Sequence, residues 1–163
     1  MPSFRKTHPI AHSAEQMFDL VADVERYPEF LPLCTGLTVL QRREKGDREA
    51  LTATMSVGYR RISETFTTQV ILNRPALAID VQYIDGPFKY LVNEWRFEPD
   101  GPDRCLVHFF IDYEFRSRTL GLMMGSMFDR AFQMFVDAFE KRADAIYGFS
   151  SSSSRRRPAS AES

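Results

Sequence analysis

The sequence has little cysteine and no long apolar run. Its 163 residues include two cysteines, Cys34 and Cys105, and neither belongs to a paired metal-ligand motif. Two free thiols in a reducing compartment are therefore expected. No apolar run approaches the ~18 residues that a membrane-spanning helix needs. We expect a soluble protein whose contact with membranes is peripheral.

The chain also lacks an excess of charge of either sign. Its formal net charge is −1 and its isoelectric point is about 6.3. DNA is not an expected partner, because binding to a polyanion needs a basic surface. Residues 3–10 already have the pattern of a strand, so we expect no targeting peptide before the domain and a cytoplasmic location.

Catalytic motifs are missing as well. The sequence contains no nucleophile elbow, P-loop or dinucleotide-binding glycine motif. His8 and His12 are separated by Pro9 and by a change from strand to helix, so no metal site is expected. Glu64 and His108 are the acid–base candidates, and His108 lies in outward register. The sequence predicts neither a catalytic residue nor enzymatic activity.

Repeating patterns nevertheless predict an α+β fold. A helix begins after Ser13, which forms a capping box with Gln16, and a short second helix is expected near residues 26–33. Period-two alternation between turn signals predicts strands. The predicted strands cover residues 3–10, 37–45, 48–58, 60–73, 76–85, 88–98 and 104–116.

The last predicted helix covers residues 118–147, with Gly148 as its C-cap. Its apolar stripe has helical spacing and comprises Leu120, Met124, Met127, Phe128, Ala131, Phe135, Ala138, Phe139 and Ile146. The strands have one apolar face that needs a cover. We therefore predict a helix-grip arrangement, in which a seven-stranded antiparallel sheet with the first strand at an edge wraps around this helix.

Residues 23–32, Asp-Val-Glu-Arg-Tyr-Pro-Glu-Phe-Leu-Pro, form an aromatic bend that we call the elbow. Pro28 and Pro32 each remove a backbone donor and push the preceding residue out of helical geometry. Tyr27, Phe30 and Leu31 are too apolar for a solvated turn. Local physics favours a helix end whose aromatic side chains plug the core, and the alternative is the rim of an apolar cavity.

Four methionines, Met123, Met124, Met127 and Met134, lie close together in the last helix. Methionine adapts to irregular apolar shapes, and Leu122 lies opposite the apolar stripe. Two interpretations stay open. One is ordinary core packing with an exposed leucine, and the other is a mobile cavity mouth that touches a membrane or a partner.

Three polar residues, Glu64, Thr68 and Asn93, lie in apolar register. A polar group on a buried face either has a hydrogen-bond partner or orients a ligand inside a cavity. For Glu64 we expect an internal hydrogen bond or exposure at a strand end. Asn93 lies mid-strand beside Trp95 and is the better cavity candidate.

Three separate stretches resemble the coenzyme Q-binding protein family. They are the bend from Val24 to Cys34, the run Asp85-Gly86-Pro87-Phe88 with Leu91, Asn93, Trp95 and Phe97, and the ending Ala138-Phe139-Glu140-Lys141-Arg142-Ala143. The order of elements is that of the START-like fold. The resemblance covers residues 3–148, so we expect one lipid- or quinone-binding domain over residues 1–148. The Ser- and Arg-rich residues 149–163 are expected to form a disordered tail.

The resemblance implies a bacterial carrier or chaperone that binds ubiquinone and supports respiratory electron transfer, with no covalent cofactor. It implies peripheral contact with the inner face of the respiratory membrane, for which the N-terminal part of the last helix is the expected surface. The residues expected to contact the ligand are Tyr27, Phe30, Leu31, Met55, Phe66, Val81, Tyr83, Phe88, Leu91, Asn93, Trp95, Phe109, Met124, Met127, Phe128, Ala131 and Phe135.

The same family includes bacterial ribosome-association toxins and proteins named polyketide cyclases, so two alternatives stay open. A ribosome-binding toxin needs a basic surface, for which the candidates are Arg42, Arg43, Lys45, Arg48, Arg60 and Arg61. A polyketide cyclase or dehydratase needs Glu64 or His108 inside the cavity.

Overall fold

The computed structural model describes residues 3–59 and 61–148, so the predicted tail and Arg60 lie outside the described residues. Its helices are α1 (Ala14–Ala22) and α2 (Arg118–Tyr147). Its strands are β1 (Ser3–Ile10), β2 (Cys34–Lys45), β3 (Arg48–Tyr59), β4 (Ile62–Asn73), β5 (Ala78–Asp85), β6 (Phe88–Pro99) and β7 (Cys105–Phe115). The sheet is antiparallel with the order β1-β7-β6-β5-β4-β3-β2. The predicted seven-stranded α+β arrangement, with β1 at an edge, is confirmed.

The first helix begins as its capping box predicts. The Ser13 hydroxyl accepts from the Gln16 amide at 3.1 Å, and the Gln16 side chain accepts from the Ser13 amide at 3.1 Å. A 3-10 helix, Val24–Glu29, follows α1. The prediction of a short helix near residues 26–33 was wrong at its end, because Pro32 excludes Leu31 from helical geometry.

The strands alternate in burial as their sequences predict. Along β7 every second residue from Cys105 to Phe115 is buried. Four strand starts differ from the prediction, and those of β4 and β7 differ by only one or two residues, at Ile62 and Cys105. β2 begins at Cys34, and β5 begins at Ala78 because the Leu77 amide donates to the Arg74 carbonyl at 3.0 Å and closes a turn before it.

The long helix α2 begins at the Ser117 cap, whose hydroxyl accepts from the Leu120 amide at 3.1 Å. Its buried residues are Met124, Phe128, Ala131, Phe132, Val136, Phe139 and Ala143. The stripe therefore runs through Phe132 and Val136, which the prediction left out. Ile146 was wrongly placed on it and is 51% exposed, because the last turn of α2 packs beside α1, where Tyr147 donates to the Gln16 carbonyl at 3.2 Å.

Charged side chains fasten α2 to the start of the chain. His8 on β1 lies 3.1 Å from a Glu140 oxygen, and His12 lies 2.7 Å from an Asp144 oxygen. Asp137 is 3.8 Å from the Lys6 ammonium and 3.9 Å from His8. The two histidines thus contact successive turns of one helix face, although they share no helix themselves.

Both cysteines are free thiols, as predicted, and both are buried. Burial raises the pKa of each thiol to about 11. A thiol with such a pKa stays protonated near neutral pH and is a poor nucleophile. Cys105 begins β7 in the core, and Cys34 begins β2 where the chain leaves the elbow.

Candidate functional site

The gap between the sheet and α2 is not completely filled, and it contains a cavity that offers about 90 Å³ to the centres of water-sized molecules. Its polar lining residues are Tyr27, Thr68 and Asn93. The other described residues that line it are Val24, Leu31, Pro32, Leu33, Leu37, Ala53, Met55, Val57, Phe66, Val70, Ile79, Val81, Leu91, Trp95, Ile111, Phe128, Ala131, Phe132, Phe135 and Phe139.

Most of the residues predicted to contact a ligand line this cavity. They are Tyr27, Leu31, Met55, Phe66, Val81, Leu91, Asn93, Trp95, Phe128, Ala131 and Phe135. The residues that lie elsewhere are Phe30, Tyr83, Phe88, Phe109, Met124 and Met127. Ligand contact by the first group stays a prediction, because the cavity shows position and not binding.

The residues outside the cavity are held by other contacts. Phe88 is stacked on Phe115, with ring centres 4.9 Å apart, and its amide donates to the Tyr83 hydroxyl at 3.0 Å. Phe109 lies between Phe4 and Trp95, with ring centres 6.1 and 4.7 Å away. These aromatic side chains fill the core around the cavity and do not face into it.

Several lining residues were not predicted. They are Val24, Pro32, Leu33, Leu37, Ala53, Val57, Thr68, Val70, Ile79, Ile111, Phe132 and Phe139. The alternation along the strands had already placed many of these residues on the apolar face of the sheet. The residues predicted to contact a ligand were mostly large, so small lining residues such as Ala53 were left out, although small side chains leave the space that a ligand needs.

Asn93 lines the cavity and makes two side-chain hydrogen bonds to its neighbours. Its Nδ2 donates to the Phe110 carbonyl at 2.8 Å, and its Oδ1 accepts from the Trp95 indole nitrogen at 3.0 Å. A side-chain amide has two donor hydrogens and two acceptor lone pairs. Asn93 therefore holds Trp95 in place and keeps one donor and one lone pair.

The elbow contributes Val24, Tyr27, Leu31 and Pro32 to the cavity wall. The Tyr27 hydroxyl donates to the Val21 carbonyl at 2.5 Å, and its ring centre lies 5.4 Å from that of Phe139. Burial raises the pKa of Tyr27, so the phenol keeps its proton. The elbow therefore combines the two structures that its sequence allowed. Its aromatic side chains plug one end of the core, and four of its residues line the cavity.

Phe30 packs on the other side of the elbow and fastens it to α2. Its ring centre lies 5.1 Å from that of Phe139 and 5.1 Å from the Arg142 guanidinium carbon. Arg142 also donates to Glu29, and Arg26 donates to Glu29 at 3.0 Å. The hydrogen bond from Arg26, followed by that from Arg142, lowers the pKa of the Glu29 carboxyl.

An apolar groove lies where the elbow meets the middle of α2, and we call it the mouth. It is lined by Pro32, Leu33, Ser126, Met127, Arg130, Ala131 and Met134. Pro32, Leu33 and Ala131 also line the cavity, so they separate the two spaces. Leu33 has a φ of 68°, an uncommon conformation for a branched side chain.

The acid–base candidates do not reach the cavity. His108 lies on the outer face, where its ring nitrogens bond to Thr7 at 2.9 Å and to Glu98 at 2.9 Å. Glu64 is partly exposed and is absent from the described lining residues. The cyclase alternative needs one of them inside the cavity, and neither is among its described lining residues; the outward register expected for His108 is confirmed.

Comparisons with known proteins agree with this geometry. The family model described as polyketide cyclase/dehydrase and lipid transport matches residues 10–140. The ribosome association toxin RatA of Escherichia coli K12 is 38% identical over 149 residues, which cover 90% of each chain. The mitochondrial coenzyme Q-binding protein COQ10 of Dictyostelium discoideum is 29% identical over 148 residues, covering 90% of this chain and 71% of its own.

Solved structures show the same fold. The 18 kDa protein CC1736 from Caulobacter crescentus has a TM-score of 0.74 and 36% identity, over 91% of this chain and 99% of its own. A START superfamily protein from Mycobacterium smegmatis has a TM-score of 0.73 and 26% identity, over 88% and 98%. The chain belongs to the polyketide cyclase/dehydrase and lipid transport family and has its START-like fold.

Replacing Asn93 by leucine should lower the free energy of unfolding, because the buried indole N–H of Trp95 and the Phe110 carbonyl lose their partner. Each orphaned group costs about 1–3 kcal/mol. The measurement is urea denaturation of Asn93→Leu, Trp95→Phe and the double variant. Because one bond is shared, the double variant should lose less than the sum of the single losses. Strictly additive losses would show that the Asn93–Trp95 bond contributes nothing.

Proposed function

We propose that the protein binds a hydrophobic ligand without transforming it, and that the ligand is a polyprenylated quinone of the ubiquinone type. The observation that carries the proposal is the apolar cavity between the sheet and α2. Burial of apolar ligand surface contributes roughly 25 cal/mol per Å². The relative COQ10, whose name describes it as coenzyme Q-binding, supports the choice of quinone.

The polar lining residues suit a quinone ring. Its two carbonyl oxygens accept hydrogen bonds, and the spare Asn93 hydrogen and the Thr68 hydroxyl are donors on the cavity wall. The cavity is small, so a long prenyl chain has to displace side chains at its end. We infer that the chain leaves through the mouth, where Met127 and Met134 adapt to its shape.

Catalysis is not part of the proposal. Among the described lining residues, Tyr27 is the one with an ionisable side chain, and all the others are neutral. Its proton is held by burial and by the bond to Val21. A cyclase or dehydratase needs a group that exchanges a proton near neutral pH, and Tyr27 does not meet that need.

A carrier or chaperone for a quinone has to meet the membrane. None of the described helices combines the length and apolarity that a bilayer-spanning segment requires. Leu122 is 81% and Met123 58% exposed near the start of α2, and exposed apolar side chains of this kind insert into interfaces. We propose a cytoplasmic protein that touches the inner face of the respiratory membrane through this part of α2.

Titration with decylubiquinone should quench the fluorescence of Trp95 saturably. Trp95 is the single tryptophan of the chain and lines the cavity, and a quinone in contact with an excited indole accepts its energy or its electron. Ala131→Phe should weaken binding by about tenfold because the added ring occupies the cavity.

Matched controls separate a filled cavity from a damaged fold. Ala145→Phe makes the same change at an exposed position of α2 and should leave binding unchanged. Ala53→Leu fills the cavity from the opposite wall and should act like Ala131→Phe. Quinone binding in this cavity would be contradicted if quenching does not saturate, or if the unmodified protein and all three variants bind decylubiquinone with the same affinity.

A ribosome-binding regulator is the second candidate, and the identity to RatA favours it. The predicted basic surface is only partly present. Arg42 is paired with Glu49 at 2.9 Å and Glu25 at 3.1 Å. The register pairs Lys45 with Arg48 at one end of β2–β3, whereas Arg61 follows the other end of β3. The exposed cations that do lie together are Arg43, Lys45 and Arg48, at the hairpin end of β2 and β3.

Sedimentation with ribosomal subunits at low and raised salt tests this candidate. If the hairpin end binds ribosomal RNA, the protein should co-sediment at low salt and be released by salt. Arg43→Glu should abolish co-sedimentation, while Lys141→Glu, the same charge reversal on an exposed face of α2, should not. Failure of the unmodified protein to co-sediment at low salt would remove the candidate.

A further inference from the structure

The sheet is incompletely paired between β5 and β6. Their register runs only from Ala78 opposite Arg96 to Gln82 opposite Val92. On the far side of each strand the pairing continues, since β5 still pairs with β4 at Asp85 and β6 still pairs with β7 at Phe88. The two strands therefore separate beyond Gln82 and Val92, and we call this gap the split.

A groove of about 600 Å³ lies in the split. Its lining residues include both outward-facing and inward-facing residues of the two strands. Val81, Leu91 and Asn93 line the groove and also line the cavity. These three residues therefore lie between the groove and the cavity.

The two ends of the cavity differ in polarity. At the mouth five of the seven lining residues are apolar, and the other two are Ser126 and Arg130. At the split the walls include Asp80, Gln82, Lys89, Glu94 and Arg96. The charges there are largely balanced, because Arg96 pairs with Asp80 at 2.9 Å and Lys89 lies 3.9 Å from Glu114.

A balanced set of charges gives no preference for an ionic head, whereas Asn93 offers a free donor and a free lone pair at the point where groove and cavity meet. A neutral group with hydrogen-bonding oxygens fits this end. A long apolar chain fits the other end, where Pro32, Leu33, Met127, Ala131 and Met134 offer apolar contact.

We propose that the split is a second opening of the cavity and that it holds the uncharged polar head of an amphipathic ligand, while the tail runs to the mouth. This orientation rests on the proposed function and further specifies the end of the cavity at which the head of the ligand lies. The head then meets water through the sheet while the tail stays covered by α2. A water-soluble reactant reaches a bound head without release of the ligand.

Paramagnetic relaxation in solution tests the orientation. The probes are two methyl esters of stearic acid that carry a nitroxide, one near the ester and one near the far end of the chain. The ester-end nitroxide should broaden the Asn93 side-chain amide and the Val81 backbone amide. The far-end nitroxide should broaden the methyl groups of Met127 and Met134.

A matched pair of variants isolates the split. Gln82→Phe places a ring at its rim and should weaken binding of the ester-end probe by about tenfold. Gln69→Phe makes the same change on the neighbouring strand, directly opposite Gln82 in the register, and should leave binding unchanged. Circular dichroism of both variants checks that the sheet is intact.

The outcomes separate the two claims. Saturable binding with the reversed broadening pattern, or with both nitroxides at the mouth, overturns the split as the head site and leaves hydrophobic binding standing. Equal binding by Gln82→Phe and Gln69→Phe overturns it too. No saturable binding of either probe and no quenching of Trp95 by decylubiquinone overturns both claims.

Discussion

The packing of α2 across one face of the sheet is the contact on which the rest of the structure depends. Phe128, Phe132 and Phe139 project from the helix onto a sheet whose facing side chains are also apolar. Burial of each such ring contributes about 1.5–3 kcal/mol. Because a straight helix cannot fill every part of a twisted sheet's face, the contact closes at the aromatic clusters and leaves the cavity between them.

That incomplete contact links the other features of the molecule. The Phe88–Phe115 stack closes one end of the core, and the Tyr27–Phe30–Phe139 group closes the elbow end. Arg142 joins the elbow to α2 through Phe30 and Glu29, two contacts that are weaker than buried apolar packing. The elbow is thus held to α2 both by aromatic packing on Phe139 and by these charged contacts, and it borders the mouth.

The sequence was informative wherever a local rule decides the outcome. The Ser13 cap, the period-two strands and the apolar register that placed Asn93 inside were all predictable. The exposure of α2 beyond Ala143 could not be predicted. Ile146 keeps the helical spacing of the apolar stripe, but the last turn of α2 packs beside α1 and leaves Ile146 exposed. Phe30 and Phe109 could not be assigned to cavity or core from register alone, since that depends on which rings reach each other. The split was also hidden, because strand patterns do not show where pairing stops.

The most direct test of the account is the identity of whatever the protein retains from the cell. The protein is purified without detergent, extracted with organic solvent and analysed by mass spectrometry, beside Ala131→Phe prepared in the same way. A polyprenylated quinone is expected in the unmodified protein, and a strongly reduced amount in the variant. A protein that retains no quinone or other lipid and does not bind added ubiquinone would contradict it.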